Sequence, residues 1–204
     1  VERGEENDLL HLTFNSFQVE VWLGNLTGAA DIAKDSLERA RQLGGDLPLA
    51  MALTMRALLA SLTGRESDTR ADAGAALTAS MRCGAHILAM WPLTALGLLE
   101  VTLGNHDAAL ETLKPLLTQL DTMADATEII TAGYVPDAAE AMVQVGRLDE
   151  AEELIDRLER NGRRLDRAWM MAVGARCRSM LLAAQGDIAR ARGAAQSALI
   201  QHDR

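Results

Sequence analysis

From Leu148 onward the apolar residues Ala151, Leu154, Ile155 and Leu158 fall three and four apart, with charged residues filling most of the gaps. That spacing lays one apolar stripe along a helix of 3.6 residues per turn. On the polar side, Glu153 with Arg157, Asp156 with Arg160, and Glu159 with Arg163 stand acid before base at i,i+4. Pairs in that order support an exposed helix by about 0.2–0.5 kcal/mol each. The acids of this stretch therefore read as a solvated helix face, with a docking surface for a basic partner as the alternative. The same periodicity along the chain predicts ten helices in five antiparallel pairs. The first helices run near 8–23, 47–63, 86–103, 137–145 and 167–185, and the second near 28–43, 68–82, 108–121, 150–164 and 188–202.

The pairs are set by glycine. Gly24, Gly64, Gly104, Gly146 and Gly186 are separated by 40, 40, 42 and 40 residues, a period of about 40 that marks a repeat array. Three residues after each stand Thr27, Ser67, Asp107, Asp149 and Ala189, and four of these five are favoured N-cap types. Five residues after each come Ala29, Thr69, Ala109, Ala151 and Ala191; seven before come Phe17, Ala57, Gly97, Ala139 and Ser179. Small residues on both sides of a glycine bend let two helices approach closely, so each glycine reads as the corner of a helical hairpin. One hairpin cannot bury both of its apolar faces, so the hairpins must stack. The expected fold is all-α, a right-handed superhelix of about five antiparallel helix pairs forming a single domain over 1–204. Its one long irregular connection, 122–136, is the candidate hinge between sub-units 1–121 and 137–204.

Composition narrows the class without changing it. A hydrophobic fraction of 49% with only 3% aromatics and few β-branched residues favours helices over sheets. The net charge of -9, with no local basic patch in the sequence, argues against direct nucleic-acid binding. Cys83 and Cys177 lack CxxC spacing, so neither a disulfide framework nor a zinc site is indicated, and reduced thiols in a cytoplasmic protein are expected. The acidic start "VERGEEND" does not resemble an export signal, and the longest charge-free run, Cys83–Leu99, contains Pro92 and is short for a bilayer span. No membrane association is expected.

Chemistry-bearing motifs are sparse. His11, His86, His106 and His202 have no partner at metal-ligand spacing; His106 stands beside Asp107, whose expected role is helix capping. Neither GxSxG nor HExxH occurs, so no catalytic residue, metal or cofactor is assigned and the chain reads as a non-enzyme. Trp22, Trp91 and Trp169 fall on first helices, the ones that line the concave side of such a superhelix. Trp91, Tyr134 and Trp169, with His86 and Met170 near them, are the candidate ligand-binding residues, because aromatics give large contact area at little entropy cost. The competing reading has the same aromatics filling gaps between small residues in the stack. Pro92 is expected to kink its helix or delay its start.

Small residues seven before and five after a turn glycine resemble the spacing of tetratricopeptide repeats, here lengthened beyond the usual period. A second resemblance rests on "VQVGRLDEAEELIDRLERNGRRLDRAW" and "ARCRSMLLAAQGDIARARGAAQSALIQHD". These stretches resemble the helical-repeat region of large bacterial LuxR-type regulators, laid out like the maltose regulator with a nucleotide-binding ATPase before the repeats and a helix-turn-helix after them. Ala168 replaces the proline often found before the equivalent of Trp169. No GxxxxGK[ST] loop occurs, so ATP binding does not carry over. The resemblance implies a segment of a longer regulator that binds a small-molecule inducer or a protein on its concave face and signals to the other domains. A free-standing protein-interaction module is the alternative, and self-association into a homo-oligomer is left open.

Overall fold

Twelve helical elements account for nearly all of residues 2–123 and 126–203, which the computed structural model describes; no strand occurs among them. In chain order they are α1 Glu2–Trp22, α2 Leu26–Leu43, α3 Asp46–Leu62, α4 Glu66–Arg82, a 3-10 turn His86–Ala89, α5 Met90–Thr102 and α6 His106–Thr122. A one-turn helix α7 (Ile129–Ala132) leads to α8 Val135–Gln144, α9 Leu148–Leu165, α10 Ala168–Ala184 and α11 Ile188–His202. Each of the ten expected helices has its counterpart. Pro92 sits in the first turn of α5, where a missing N–H leaves no helix bond unmade, so the helix starts late behind a 3-10 turn. Pro115 lies inside α6, where it does remove a backbone bond.

All five register glycines adopt positive φ, from 70° at Gly64 to 85° at Gly186. The bond pattern at Gly146 is typical: its N–H donates to the Val143 carbonyl at 3.2 Å, and the Arg147 N–H reaches back to the Met142 carbonyl at 2.9 Å. This is a Schellman turn, in which a left-handed residue lets the last free carbonyls of a helix be satisfied. The left-handed positions recur at half the expected period, because Gly44, Gly84 and Asp166 also have positive φ. Each helix with its turn therefore takes about 20 residues; the bend at Gly84 repeats the hydrogen-bond pattern of Gly146, whereas the α2–α3 bend uses two extended positive-φ glycines, Gly44 and Gly45.

The turns are tighter than the sequence suggested. Thr27, Ser67, Asp107 and Asp149 are not N-caps but lie in the first turns of α2, α4, α6 and α9. The residue directly after each glycine closes one helix and caps the next. Asn25 Oδ1 accepts from the Gly28 N–H at 3.2 Å, and Asp187 Oδ1 accepts from the Arg190 N–H at 3.0 Å. Asp107 and Asp149 instead place negative charge near the positive end of a helix dipole. The small-residue register holds in three dimensions: Ala29, Thr69, Ala109, Ala151 and Ala191 are all buried, as are Phe17, Ala57, Gly97 and Ala139, while Ser179 is partly buried.

The chain forms two compact units, Val1–Leu99 and Glu100–Arg204, divided within α5. In the first, Phe14, Phe17, Met51, Met55 and Leu59 gather with Ala29 and Ala33 into a core, and Trp91 packs edge-on to Phe14 with ring centroids 5.5 Å apart. In the second, Leu113, Val135, Ile155, Leu158, Met170 and Leu181 are buried. The expected hinge belongs wholly to this second unit. Ala124 and Asp125 lie outside the described residues, but the rest of the connection is tied down. Asn161 Nδ2 donates to Thr127 Oγ1 at 2.9 Å, Thr127 Oγ1 in turn approaches Met170 Sδ at 3.2 Å, and the Tyr134 hydroxyl donates to the Leu116 carbonyl at 3.0 Å. Among the described residues no helix is long and apolar enough to cross a membrane.

Candidate functional site: the groove between α6 and α9

In the second unit, α6 precedes the 122–136 connection and α9 follows it, and the two leave an open groove of about 590 Å³ between them. Its apolar floor comes from Leu110, Leu117 and Leu120 of α6, Met142 of α8 and Leu154 of α9. The periodicity of α6 and α9 explains the floor: the same stripes that bury Leu113, Leu116, Ile155 and Leu158 present their flanking positions to the groove.

Three acid–base pairs form along the rim, and Glu153 adds a fourth acid against three bases, so the rim is mostly paired with one negative charge in excess. At one end Arg157 donates to the Leu120 carbonyl at 3.3 Å and to Asp121 Oδ1 at 3.2 Å. Toward the other end Arg147 grips Glu150 with two hydrogen bonds of 2.7 and 2.5 Å, and Lys114 stands 3.7 Å from Glu111. The Arg147 hydrogen bond holds the Glu150 carboxyl below the usual carboxylate range. A rim of paired, exposed charges contributes little stability.

The acids of α9 do more than face water. Arg178 of α10 is drawn into a cage of Glu152, Asp156 and Glu159, with Asp156 its shortest partner and Glu159 Oε2 at 3.3 Å. Of the three expected helix pairs only Glu159–Arg163 forms, at 3.8 Å, because Arg157 turns to α6 and Asp156 turns to α10. Nearby, burial pushes the Asp137 carboxyl up to about 7 against the pull of Arg176, which also lies 3.5 Å from Glu140. Burial likewise drives the Cys177 thiol up to about 12, leaving it protonated against the Pro136 carbonyl. Both cysteines are free thiols. Among the described residues no three His, Cys, Asp or Glu side chains gather as a metal site.

The five residues expected to bind ligand do not share one unit. His86 is exposed in the 3-10 turn, and Trp91 is half-buried against the first core. In the second unit, Tyr134 and Met170 are buried with internal partners, Leu116 and Thr127, and burial raises the Tyr134 hydroxyl to about 12. Trp169 is partly exposed at the start of α10. None of the five lines the α6–α9 groove. Its residues escaped notice because leucines on an amphipathic stripe look alike in sequence whether they meet a neighbour or open space.

The described residues form an all-α protein in which left-handed turns close many of the helices. Compared with known protein families, with curated proteins and with solved structures, the chain finds no match.

Proposed function

We propose that the chain is a non-catalytic sensor or scaffold segment of a LuxR-type regulator, with its hairpins stacked as a right-handed superhelix. The resemblance over Val135–Asp203 and the recurrence of one turn geometry along the chain support this reading. The observation that carries it is the α6–α9 groove, which has an apolar floor and a rim of three acid–base pairs with one acid, Glu153, in excess. It suits a small-molecule inducer or an amphipathic segment of a protein, the latter laying its apolar side chains in the groove as helices do in recognition grooves.

Occupancy of this groove touches the chain on both sides of the 122–136 connection. Such a ligand shifts an equilibrium only by its differential affinity for two arrangements of α6 and α9, and the Arg157–Asp121 contact is the link it strengthens or breaks. Native mass spectrometry of the chain isolated gently from its own cells tests the reading. A bound species should be present and should be lost with Leu117→Glu at unchanged helix content. A protein mass alone, independent of any small molecule, favours the free-standing interaction module. Bare chain for parent and variant alike contradicts both.

A further inference from the structure

Two seams between hairpins show which face of each helix a neighbour covers. In the first unit α2 packs on α3, and in the second α9 packs on α10. Counted from the corner glycines, both seams use the same positions. Leu37 of α2, thirteen residues after Gly24, shares a core cluster with Ala52 of α3, twelve before Gly64. Glu159 of α9 and Gly174 of α10 hold those same places beside Gly146 and Gly186, and a β-carbon at Gly174 would stand 2.9 Å from Glu159 Cγ. Leu59 and Leu181, five before a corner glycine, and Ala33 and Ile155, nine after one, are all buried.

The two halves of this seam also occur uncovered, one on α1 and the other on α11. Leu12 and Val19 of α1 fall twelve and five residues before Gly24, yet Leu12 is 62% exposed and Val19 is half-exposed. Ala195 and Leu199 of α11 fall nine and thirteen after Gly186, yet Ala195 is exposed and Leu199 is 67% exposed. The charges fit as well. In the antiparallel order of the interior seams, the start of α11 with Arg190 and Arg192 falls beside the end of α1 with Glu20. Over residues 9–22, α1 has no Lys or Arg to oppose them. Ser16 stands where α10 has Arg178, and its hydroxyl donates to the Leu12 carbonyl at 2.9 Å, so the uncovered face of α1 is apolar.

We propose that a second copy of the chain covers each face: α11 of one copy packs on α1 of the next, with Leu199 against Leu12. This contact is separate from the reading of the α6–α9 groove. Two leucines meet where the interior seams pair a large residue with a small one, so the helix axes stand further apart than in those seams. Because the two faces differ, the contact is head-to-tail and repeats from copy to copy, as a ring or an open chain.

Sedimentation velocity of the intact chain from roughly 1 µM to 1 mM tests this. The parent should pass from monomer to species of two or more copies. Leu12→Glu and Leu199→Glu, both at exposed positions, should leave helix content unchanged. Each should raise the dissociation constant at least about tenfold, because an unpaired carboxylate would have to be buried. An equimolar mixture of the two variants should still pair, since one supplies an intact α11 face and the other an intact α1 face, and growth should stop at two chains. A monomeric parent would overturn the proposal and leave both faces to a different protein. Assembly that survives either variant alone, as a symmetric contact would allow, or a mixture that fails to pair, would overturn it too.

Discussion

Gly162→Leu should lower the calorimetric transition of the chain by roughly 6–12 °C, the equivalent of about 3 kcal/mol for a protein of this size. Gly162 lies in the last turn of α9, where the chain is about to double back into α10. A β-carbon placed there would stand 3.0 Å from Met170 Cβ and 3.1 Å from the Met171 backbone nitrogen. Backbone cannot yield as a flexible side-chain end can, and Met170 is held fully buried against Thr127. The only relief is to part the two helices, which loosens the contacts around Asn161 and Ile155. Gly162→Ala should cost less, because the gain of a better helix former offsets part of the collision. Equal stability of the parent and the leucine variant would mean that α9 and α10 do not meet at this point.

Arg178→Met should cost about 2 kcal/mol and should be partly rescued by a second change, Glu159→Gln. The arginine side chain is 16% exposed and Glu159 18%, whereas Glu152 and Asp156 are about half exposed. Removing the cation leaves three carboxylates clustered on one face of α9, with Arg163, 3.8 Å from Glu159, the cation still paired with one of them. The loss falls short of the 3–5 kcal/mol typical of a fully buried pair because two of the acids retain water. Neutralising Glu159 removes the least solvated of the stranded charges, so the double variant should be more stable than Arg178→Met alone. Additive losses in urea denaturation would show that the cage is not coupled. Gly174 belongs to the same seam, since a β-carbon there would meet Glu159 Cγ at 2.9 Å and push that carboxylate off Arg178.

The helices were legible because two signals agree: apolar residues at three- and four-residue spacing, and glycine where the chain must enter the left-handed region. The half-period was harder to see. Gly44 and Gly84 continue the series from Gly24, but the equivalent bend before α10 is made by Asp166, and aspartate tolerates left-handed backbone without announcing it. N-caps were displaced because a Schellman turn leaves one residue to close a helix and open the next. Charge pairing was legible only within a helix. Arg157 stands four residues after Glu153, yet its partner is Asp121, 36 residues away, on the other side of the connection.

The candidate site was the least legible part. Tyr134 and Met170 have the composition of a binding surface but serve to anchor the 122–136 connection, and Trp91 completes an aromatic core begun by Phe14. The groove itself lies between α6 and α9, which are far apart along the chain, and such a juxtaposition leaves no trace in periodicity.

Central to the account is the left-handed turn that ends helix after helix, and mirror-image alanines at Gly186 probe it most directly. Gly186 has φ of 85° with open space around it, and the synthetic segment from Cys177 onward can be joined to the rest of the chain at that cysteine. Gly186→L-Ala should lower stability by about 1 kcal/mol, because an L residue is strained at this φ. Gly186→D-Ala should match or exceed the parent, since a D residue prefers that region and restricts the unfolded chain. Equal effects of the two, or a larger loss with the D residue, would contradict the turn and the architecture built on it.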